Sequence, residues 1–213
     1  MICSMVQNIC LCVVLSLSAT AAFAQPAGAD RDPRVVFDQA VDDFMRGDIA
    51  ASATGFDTLV ELAPQSAPTL WQRGIVLYYA ERYRDCRDQF ESHRTVNPND
   101  VENATWHFLC VAREETPTRA RDALLPVGPD ARIPMRQVYE LYAGELAPED
   151  VIAAGQGPSG EFFAHLYLGL YAEALGDNDT ALEHIRTAAE DRYSRVGGYM
   201  HSVARVHLSL LGR

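Results

Sequence analysis

The sequence repeats itself with a period of 34 residues, and this periodicity constrains the fold more than any other feature of the chain. Apolar, small and proline positions recur one period apart between residues 33 and 134. The matching sets are Ala40, Gly74 and Phe108; Phe44, Tyr78 and Ala112; Ile49 and Tyr83; Ser52, Cys86 and Ala120; Phe56, Phe90 and Leu124; and Pro64 and Pro98. The chain therefore contains three ungapped units, at 33–66, 67–100 and 101–134.

Each unit predicts two helices followed by a proline stop. In the second unit, apolar residues recur at spacings of three and four, which places them on one face of each helix. On the first helix they are Leu70, Trp71, Gly74, Leu77 and Tyr78, and on the second Tyr83, Cys86 and Phe90. Pro98 ends the second helix because proline has no N–H to donate. We expect Gly74 to let the two helices approach closely, and Phe56 and Phe90 to pack at the boundaries between units.

Later in the chain, the segment YLGLYAEALGDNDTALEHIRTAA contains Leu168-Gly169, Ala174, Ala181 and Ala188 at the spacings of the same plan. This segment and the three units resemble the tetratricopeptide repeat (TPR), whose pattern is W-x2-L-G-x2-Y, then A-x3-F, then P. A narrower similarity is to a family of small, mostly uncharacterised exported TPR proteins, which has no established activity to carry over to these residues.

The resemblance implies an all-α, right-handed α-solenoid of TPR-like helix pairs over residues 33–213. A degenerate repeat occupies 135–160, where Met135 to Ala143 and Pro148 to Ala154 predict two short helices and the glycine-rich 155–160 predicts a flexible linker. A further repeat occupies 161–194. A capping helix at 195–213 is expected to cover the open face of that final repeat.

The first 24 residues predict a secretory signal peptide. They carry no charged side chain, contain an apolar run from Ile9, and end in Ala22-Phe23-Ala24, a small-residue cleavage site. The uncharged start leaves open whether Met1 is the true initiator. Residues 25–32 predict a disordered linker. We therefore expect a periplasmic or secreted protein with no stable membrane insertion after cleavage.

The net charge argues against one class of partner, and the cysteine content raises the question of a disulfide. The net charge of -11 opposes binding to nucleic acid, which depends on basic residues. After cleavage only Cys86 and Cys110 would remain, in a compartment that permits a disulfide. Two unlinked, buried cysteines are the alternative, and the sequence does not decide between them.

The TPR resemblance also implies a concave groove formed by the first helix of each unit. The residues expected there are Phe37, Val41 and Phe44; Trp71, Ile75, Tyr78 and Tyr79; and Thr105, Leu109 and Arg113. Aromatic anchors beside an arginine are typical of binding hot spots. We therefore expect a non-catalytic protein–protein interaction scaffold or adaptor of the cell envelope that binds a peptide or helix of a partner. It would be a monomer or weak homo-oligomer and would need no cofactor or metal. The alternative is that these aromatic residues are core, or contact the protein's own terminal segments.

The boundary between the second and third units is unusually polar, and it supports a different function class. His93, Asp100, Glu102 and His107 could form the centre of a metal-dependent hydrolase. A structural explanation competes with it: Asp100 would cap the next helix, His93 would bond a backbone carbonyl, and Arg94 would pair with Asp100 or Glu102. The sequence carries no nucleophile elbow, phosphate-binding loop or zinc-protease motif, so we expect no enzyme activity.

Overall fold

The computed structural model describes residues 32–211, and within this range every regular element is a helix. The α-helices are α1 Pro33–Met45, α2 Ile49–Leu62, α3 Trp71–Tyr79, α4 Tyr83–Arg94, α5 Val101–Glu114, α6 Pro117–Asp122, α7 Met135–Ala143, α8 Pro148–Ala154, α9 Gly157–Ala174, α10 Asn178–Ala188 and α11 Ser194–Leu211. Two 3-10 helices lie at Pro64–Thr69 and Asp191–Tyr193. The predicted signal peptide, 1–24, and all but the last residue of the predicted linker lie outside the described residues. That last residue, Asp32, caps α1 by accepting a hydrogen bond from the Arg34 backbone N–H.

A glycine followed by an aspartate joins the helices of the first and the last pair. Gly47 and Gly176 adopt positive φ angles of 77° and 85°, a conformation that glycine tolerates without strain. Asp48 then accepts from the Ala51 N–H at 3.1 Å, and Asp177 from the Thr180 N–H at 3.1 Å. One dipeptide thus ends the first helix of a pair and caps the second.

Sequential helices pack as pairs. α1 packs on α2, α3 on α4, and α9 on α10, while α2 contacts α3 and α4 contacts α5 across the unit boundaries. The predicted all-α class and the packing of adjacent helix pairs are confirmed. The right-handed solenoid arrangement of TPR proteins stays a prediction.

The third unit departs from the plan of the first two. Its second helix, α6, has only six residues, and Leu124 lies beyond its end in a segment without helix. The helices α7 and α8 have the bounds predicted for the degenerate repeat. The flexible linker predicted at 155–160 is wrong, because Gly157 to Gly160 form the first turn of α9. Gly155 and Gly160 are in close backbone contact there, and both are buried.

Phe90 packs at the boundary between the second and third units, as predicted. A Cβ on Gly74 would lie only 2.6 Å from the Phe90 ring, so α3 and α4 are in close contact at this glycine. On its other side the ring lies nearly parallel to that of Trp106 on α5, with centroids 6.5 Å apart. A disulfide joins Cys86 of α4 to Cys110 of α5 across the same boundary, with Cα atoms 5.9 Å apart. The pairing that the sequence left open is thus present in the structure.

The last helix, α11, connects the two ends of the helical array. It packs on α9 and α10, as expected of a helix that covers the final repeat, and it also contacts α1. Its helical geometry is interrupted at Gly198. The next residue, Tyr199, lies against Phe44 of α1 and Trp71 of α3, with ring centroids 6.3 and 4.8 Å apart. Within residues 32–211, none of the helices has the length and apolar character needed to cross a bilayer.

Replacing Gly74 with alanine tests the close contact of α3 and α4. Alanine is about 1 kcal/mol better than glycine in a helix interior, but its methyl group would overlap the Phe90 ring. We expect Gly74→Ala to lower the free energy of unfolding by about 1–3 kcal/mol, measured by urea denaturation. Gly74→Ala should cost less stability in a protein that already carries Phe90→Leu than it costs in the wild type, because the smaller side chain leaves room for the methyl group. A stabilised Gly74→Ala variant would show that the contact is not tight.

Candidate functional site

The residues predicted to line a groove occupy different environments in the structure. Phe44, Ile75, Tyr78, Thr105 and Leu109 are buried. Those that are partly buried are Phe37, Val41, Trp71 and Tyr79, while Arg113 is exposed. These predicted groove residues, which we call the stripe, are therefore divided among the interior, a face covered by α11, and an accessible end.

The chain's own last helix covers the middle of the stripe. Tyr199 packs on Phe44 and Trp71, and the Tyr79 hydroxyl lies 3.0 Å from Nδ1 of His207. Burial raises the pKa of Tyr79 well above its usual value, so its phenol stays protonated and can donate to Nδ1. Phe44, Trp71 and Tyr79 thus contact a terminal segment of the same chain, which is the alternative that the sequence left open.

The accessible end of the stripe is a pocket that we call the tyrosine pocket. It has a volume of about 270 Å³ and brings together three predicted groove residues, Tyr78, Tyr79 and Arg113. Arg113 donates to the Tyr83 hydroxyl at 3.3 Å through both Nε and Nη2. The Tyr78 hydroxyl donates to Oε2 of Glu173 at 3.4 Å. The remaining lining residues are Glu81, Tyr83, Glu173, His207, Leu210 and Leu211.

Sequence reasoning missed Tyr83 and Glu173. Tyr83 begins the second helix of its unit, where its repeat partner Ile49 suggested a packing role. Glu173 belongs to α9, far along the chain, and nothing in its local sequence indicates contact with Tyr78. Only the folding of α9 against α5 brings this carboxylate beside the predicted residues.

The polar boundary between the second and third units is largely satisfied by internal bonds. Asp100 accepts from the Glu102 N–H at 3.0 Å and caps α5, as predicted. His93 Nδ1 lies 2.7 Å from the carbonyl oxygen of Pro68, also as predicted. The predicted pairing of Arg94 with Asp100 or Glu102 is wrong, because Arg94 Nε donates instead to the Pro126 carbonyl.

Arg132 takes the role predicted for Arg94. Its guanidinium donates to Asp100, Glu102 and Asp130 at 2.6, 2.7 and 2.6 Å. The Tyr167 hydroxyl donates to the other Glu102 oxygen at 2.6 Å. Burial raises the pKa of Glu102, and the pairing with Arg132 opposes this rise. The side chain at the centre of this network is therefore an arginine thirty residues downstream of Glu102.

His107 is separated from the rest of the predicted polar cluster. Its Nε2 lies 3.3 Å from Oε1 of Glu91, and burial lowers its pKa despite that neighbour. Among residues 32–211, no three His, Cys, Asp or Glu side chains are placed to hold one metal ion together. The described residues thus provide no positive observation for the metal-dependent hydrolase considered from the sequence.

His93, Asp100 and Glu102 line a pocket that we call the tryptophan cavity. It has a volume of about 180 Å³, and its walls come from α3, α4, α5 and α11. The lining residues are Trp71, Ile75, Phe90, His93, Asp100, Glu102, Asn103, Trp106 and Met200. Sequence reasoning named Asn103 and Trp106 only as neighbours of the polar boundary, because a cavity among buried residues has no sequence signal.

A comparison of the chain with models of known protein families finds no match. The similarity to the TPR family therefore depends on the repeat pattern alone.

Acidification tests how α11 is held over the stripe. Burial lowers the pKa of His207 below its usual value of 6.5, with Glu173 opposing and Arg113 adding to the shift. The unfolded chain therefore binds a proton at His207 more readily, and stability falls as the pH drops through about 6.5. We expect the free energy of unfolding to decrease from pH 7.5 to pH 5.5, and to decrease less in His207→Gln. Ser209→Ala, an exposed change on the same helix, serves as the control. If the free energy of unfolding decreases equally in His207→Gln and the wild type, the pH dependence does not come from His207.

Proposed function

We propose that this protein is a non-catalytic adaptor of the cell envelope that binds a segment of a protein partner. The predicted signal peptide and the repeat pattern support export and a scaffold role. Packed helix pairs, a disulfide across a unit boundary and a last helix that contacts the first give such a protein a fixed binding surface. A surface that is ordered before binding loses less conformational entropy when the partner binds.

The observation that carries the proposal is the composition of the tyrosine pocket. Three tyrosines and an exposed arginine surround one open pocket of about 270 Å³. Tyrosine and arginine are enriched in the few interface residues that supply most of the binding energy, because each combines apolar area with directed hydrogen bonds. The pocket lies at the end of the stripe that α11 leaves accessible.

The chemistry of the pocket indicates the kind of segment it accepts. Leu210, Leu211 and the tyrosine rings offer apolar contact, and the Arg113 guanidinium has further N–H groups beyond those that bond Tyr83. Glu81 and Glu173 add two carboxylates to the lining. The partner segment would insert an apolar or aromatic side chain and place a backbone carbonyl or carboxylate against Arg113.

Peptides selected from a phage-displayed library against the mature protein test this proposal. Their affinity is compared between the wild type and variants that lack Arg113 or Tyr83. We expect Arg113→Ala and Tyr83→Ala to weaken selected peptides about tenfold or more, the effect of losing one hot-spot contact. Arg84→Ala is the matched control, because its side chain is 76% exposed and does not line the pocket. Circular dichroism checks the fold, and affinity is measured by fluorescence polarisation. Peptides that bind the wild type and the three variants equally well would show that the binding surface lies outside the tyrosine pocket.

Export is tested by the amino terminus of the mature protein. We expect protein recovered from the envelope of a bacterial host to begin at Gln25, because Ala22-Phe23-Ala24 supplies the small residues that signal cleavage needs. Ala24→Leu should block cleavage, and Ala27→Leu, beyond the site, should not. Intact-mass measurement after fractionation identifies the product. Uncleaved wild-type protein in the cytoplasm would contradict export.

A further inference from the structure

The tryptophan cavity is lined by buried hydrogen-bonding groups that the fold does not use. His93, Asn103 and Trp106 are 5%, 3% and 1% exposed. Within the described part of the chain, His93 Nε2, both amide atoms of Asn103 and Trp106 Nε1 have no hydrogen-bond partner. The other unpartnered buried side-chain atoms in residues 32–211 belong to side chains that do not line this cavity. Three of the residues that line this cavity thus carry four unused polar atoms.

Unpaired polar atoms of this kind are rare in native proteins, because burial removes water without supplying a replacement bond. Asn103 is the extreme case, since neither its carbonyl nor its amino group has a partner among residues 32–211. An apolar side chain of the same shape would avoid the loss. The presence of asparagine here indicates that something in the cavity bonds it.

The identity of each atom defines what the cavity can bond. The Pro68 carbonyl can only accept, so His93 Nδ1 carries the proton that it donates there. In the neutral imidazole, Nε2 is then an acceptor. Trp106 Nε1–H is a donor, and the Asn103 amide supplies one acceptor and two N–H donors. The cavity therefore offers donors and acceptors side by side.

The carboxylate oxygens on the wall already accept hydrogen bonds from the protein. Both oxygens of Asp100 accept hydrogen bonds, from the Glu102 N–H and Arg132 on one side and from Asn97 on the other. Both oxygens of Glu102 are likewise occupied, by Tyr167 and Arg132. The unused atoms of Asn103 and Trp106 carry no charge, which favours an uncharged ligand.

Size and wall chemistry narrow the ligand further. Trp71, Phe90 and Trp106 provide flat apolar surfaces, and Met200 of α11 provides an adaptable one. The volume of about 180 Å³ slightly exceeds the roughly 150 Å³ of an apolar cavity that takes up benzene. We propose that the tryptophan cavity binds a small uncharged nitrogen heterocycle, about the size of a pyrimidine or pyridine carboxamide, that both donates and accepts hydrogen bonds.

The two tryptophans of the chain make this site directly observable. Both Trp71 and Trp106 line the cavity, so intrinsic fluorescence reports occupancy without a label. The probes are cytosine and nicotinamide as uncharged heterocycles, toluene as an apolar molecule of similar size, choline as a cation and benzoate as an anion. We expect a heterocycle to change the fluorescence saturably, with a dissociation constant at or below about 1 mM, and to raise the melting temperature.

Asn103→Leu separates ligand binding from a structural role. The change removes two unpaired atoms at nearly constant shape, so the ligand-free variant should melt no lower than the wild type. Its affinity for the heterocycle should fall tenfold or more. Asn178→Leu, at an exposed asparagine that begins α10, is the matched control and should bind like the wild type. Trp106→Phe, which keeps a six-membered aromatic ring but removes the indole N–H, should weaken binding while Trp71 still reports it.

Three results would overturn the proposal. Toluene binding as tightly as the heterocycles would show that the polar atoms take no part, and choline or benzoate binding preferentially would show that a charged ligand is preferred. Failure of both heterocycles to change fluorescence or melting at about ten times the expected dissociation constant would leave the cavity as a hydrated structural space. The tyrosine pocket is formed by other residues, so the peptide experiment and this one fail or succeed separately.

Discussion

The close approach of paired helices at a glycine is the constraint on which the rest of the structure depends. A Cβ on Gly55 would lie 2.8 Å from that of Ala40, one on Gly74 2.6 Å from the Phe90 ring, and one on Gly169 2.7 Å from Ile185. In each pair the glycine sets the distance between the two helices. Because each pair buries its apolar face mainly against its neighbours, these distances also position the residues at the unit boundaries. Phe90 is the clearest example, since the ring that fits against Gly74 also forms a wall of the tryptophan cavity.

The second determinant is α11, which converts an array of helix pairs into a structure whose first and last helices touch. Tyr199 and His207 reach the aromatic residues of α1 and α3, and Met200 closes one side of the tryptophan cavity. The position at which α11 ends therefore determines which part of the stripe is accessible. Both candidate sites lie along this helix, the tryptophan cavity near its first half and the tyrosine pocket at its last turn.

Local sequence information predicted the helices well and the long-range contacts poorly. Periodicity, glycine and proline gave the helix pairs, the short α7 and α8 and the cap at Asp100, because these depend on residues a few positions apart. The position of Phe90 followed from the 34-residue repeat. The predicted pairing of Arg94 failed because the correct partner, Arg132, lies thirty residues from Glu102 on an irregular segment. Glycine content alone predicted a linker at 155–160, but the buried contact between Gly155 and Gly160 makes it an ordered helix start. The cavity could not be predicted at all, since the residues that line it come from four helices, of which α11 is far from the other three in the chain.

The contact between the two candidate sites gives the molecule a route for coupling them. Trp106 lies against Tyr78 and Tyr79, with ring centroids 5.5 and 6.2 Å apart, so one side chain belongs to the wall of the cavity and borders the tyrosine pocket. A molecule that bonds Trp106 Nε1 would restrict this ring, and the tyrosines packed on it would lose freedom with it. A partner that then binds the tyrosines would find them restricted further than the packed helices alone restrict them, which favours its binding without any change of backbone. By reciprocity, the partner would strengthen binding in the cavity by the same factor. A ligand that pairs the unpartnered atoms of His93, Asn103 and Trp106 would stabilise the helices that form both sites.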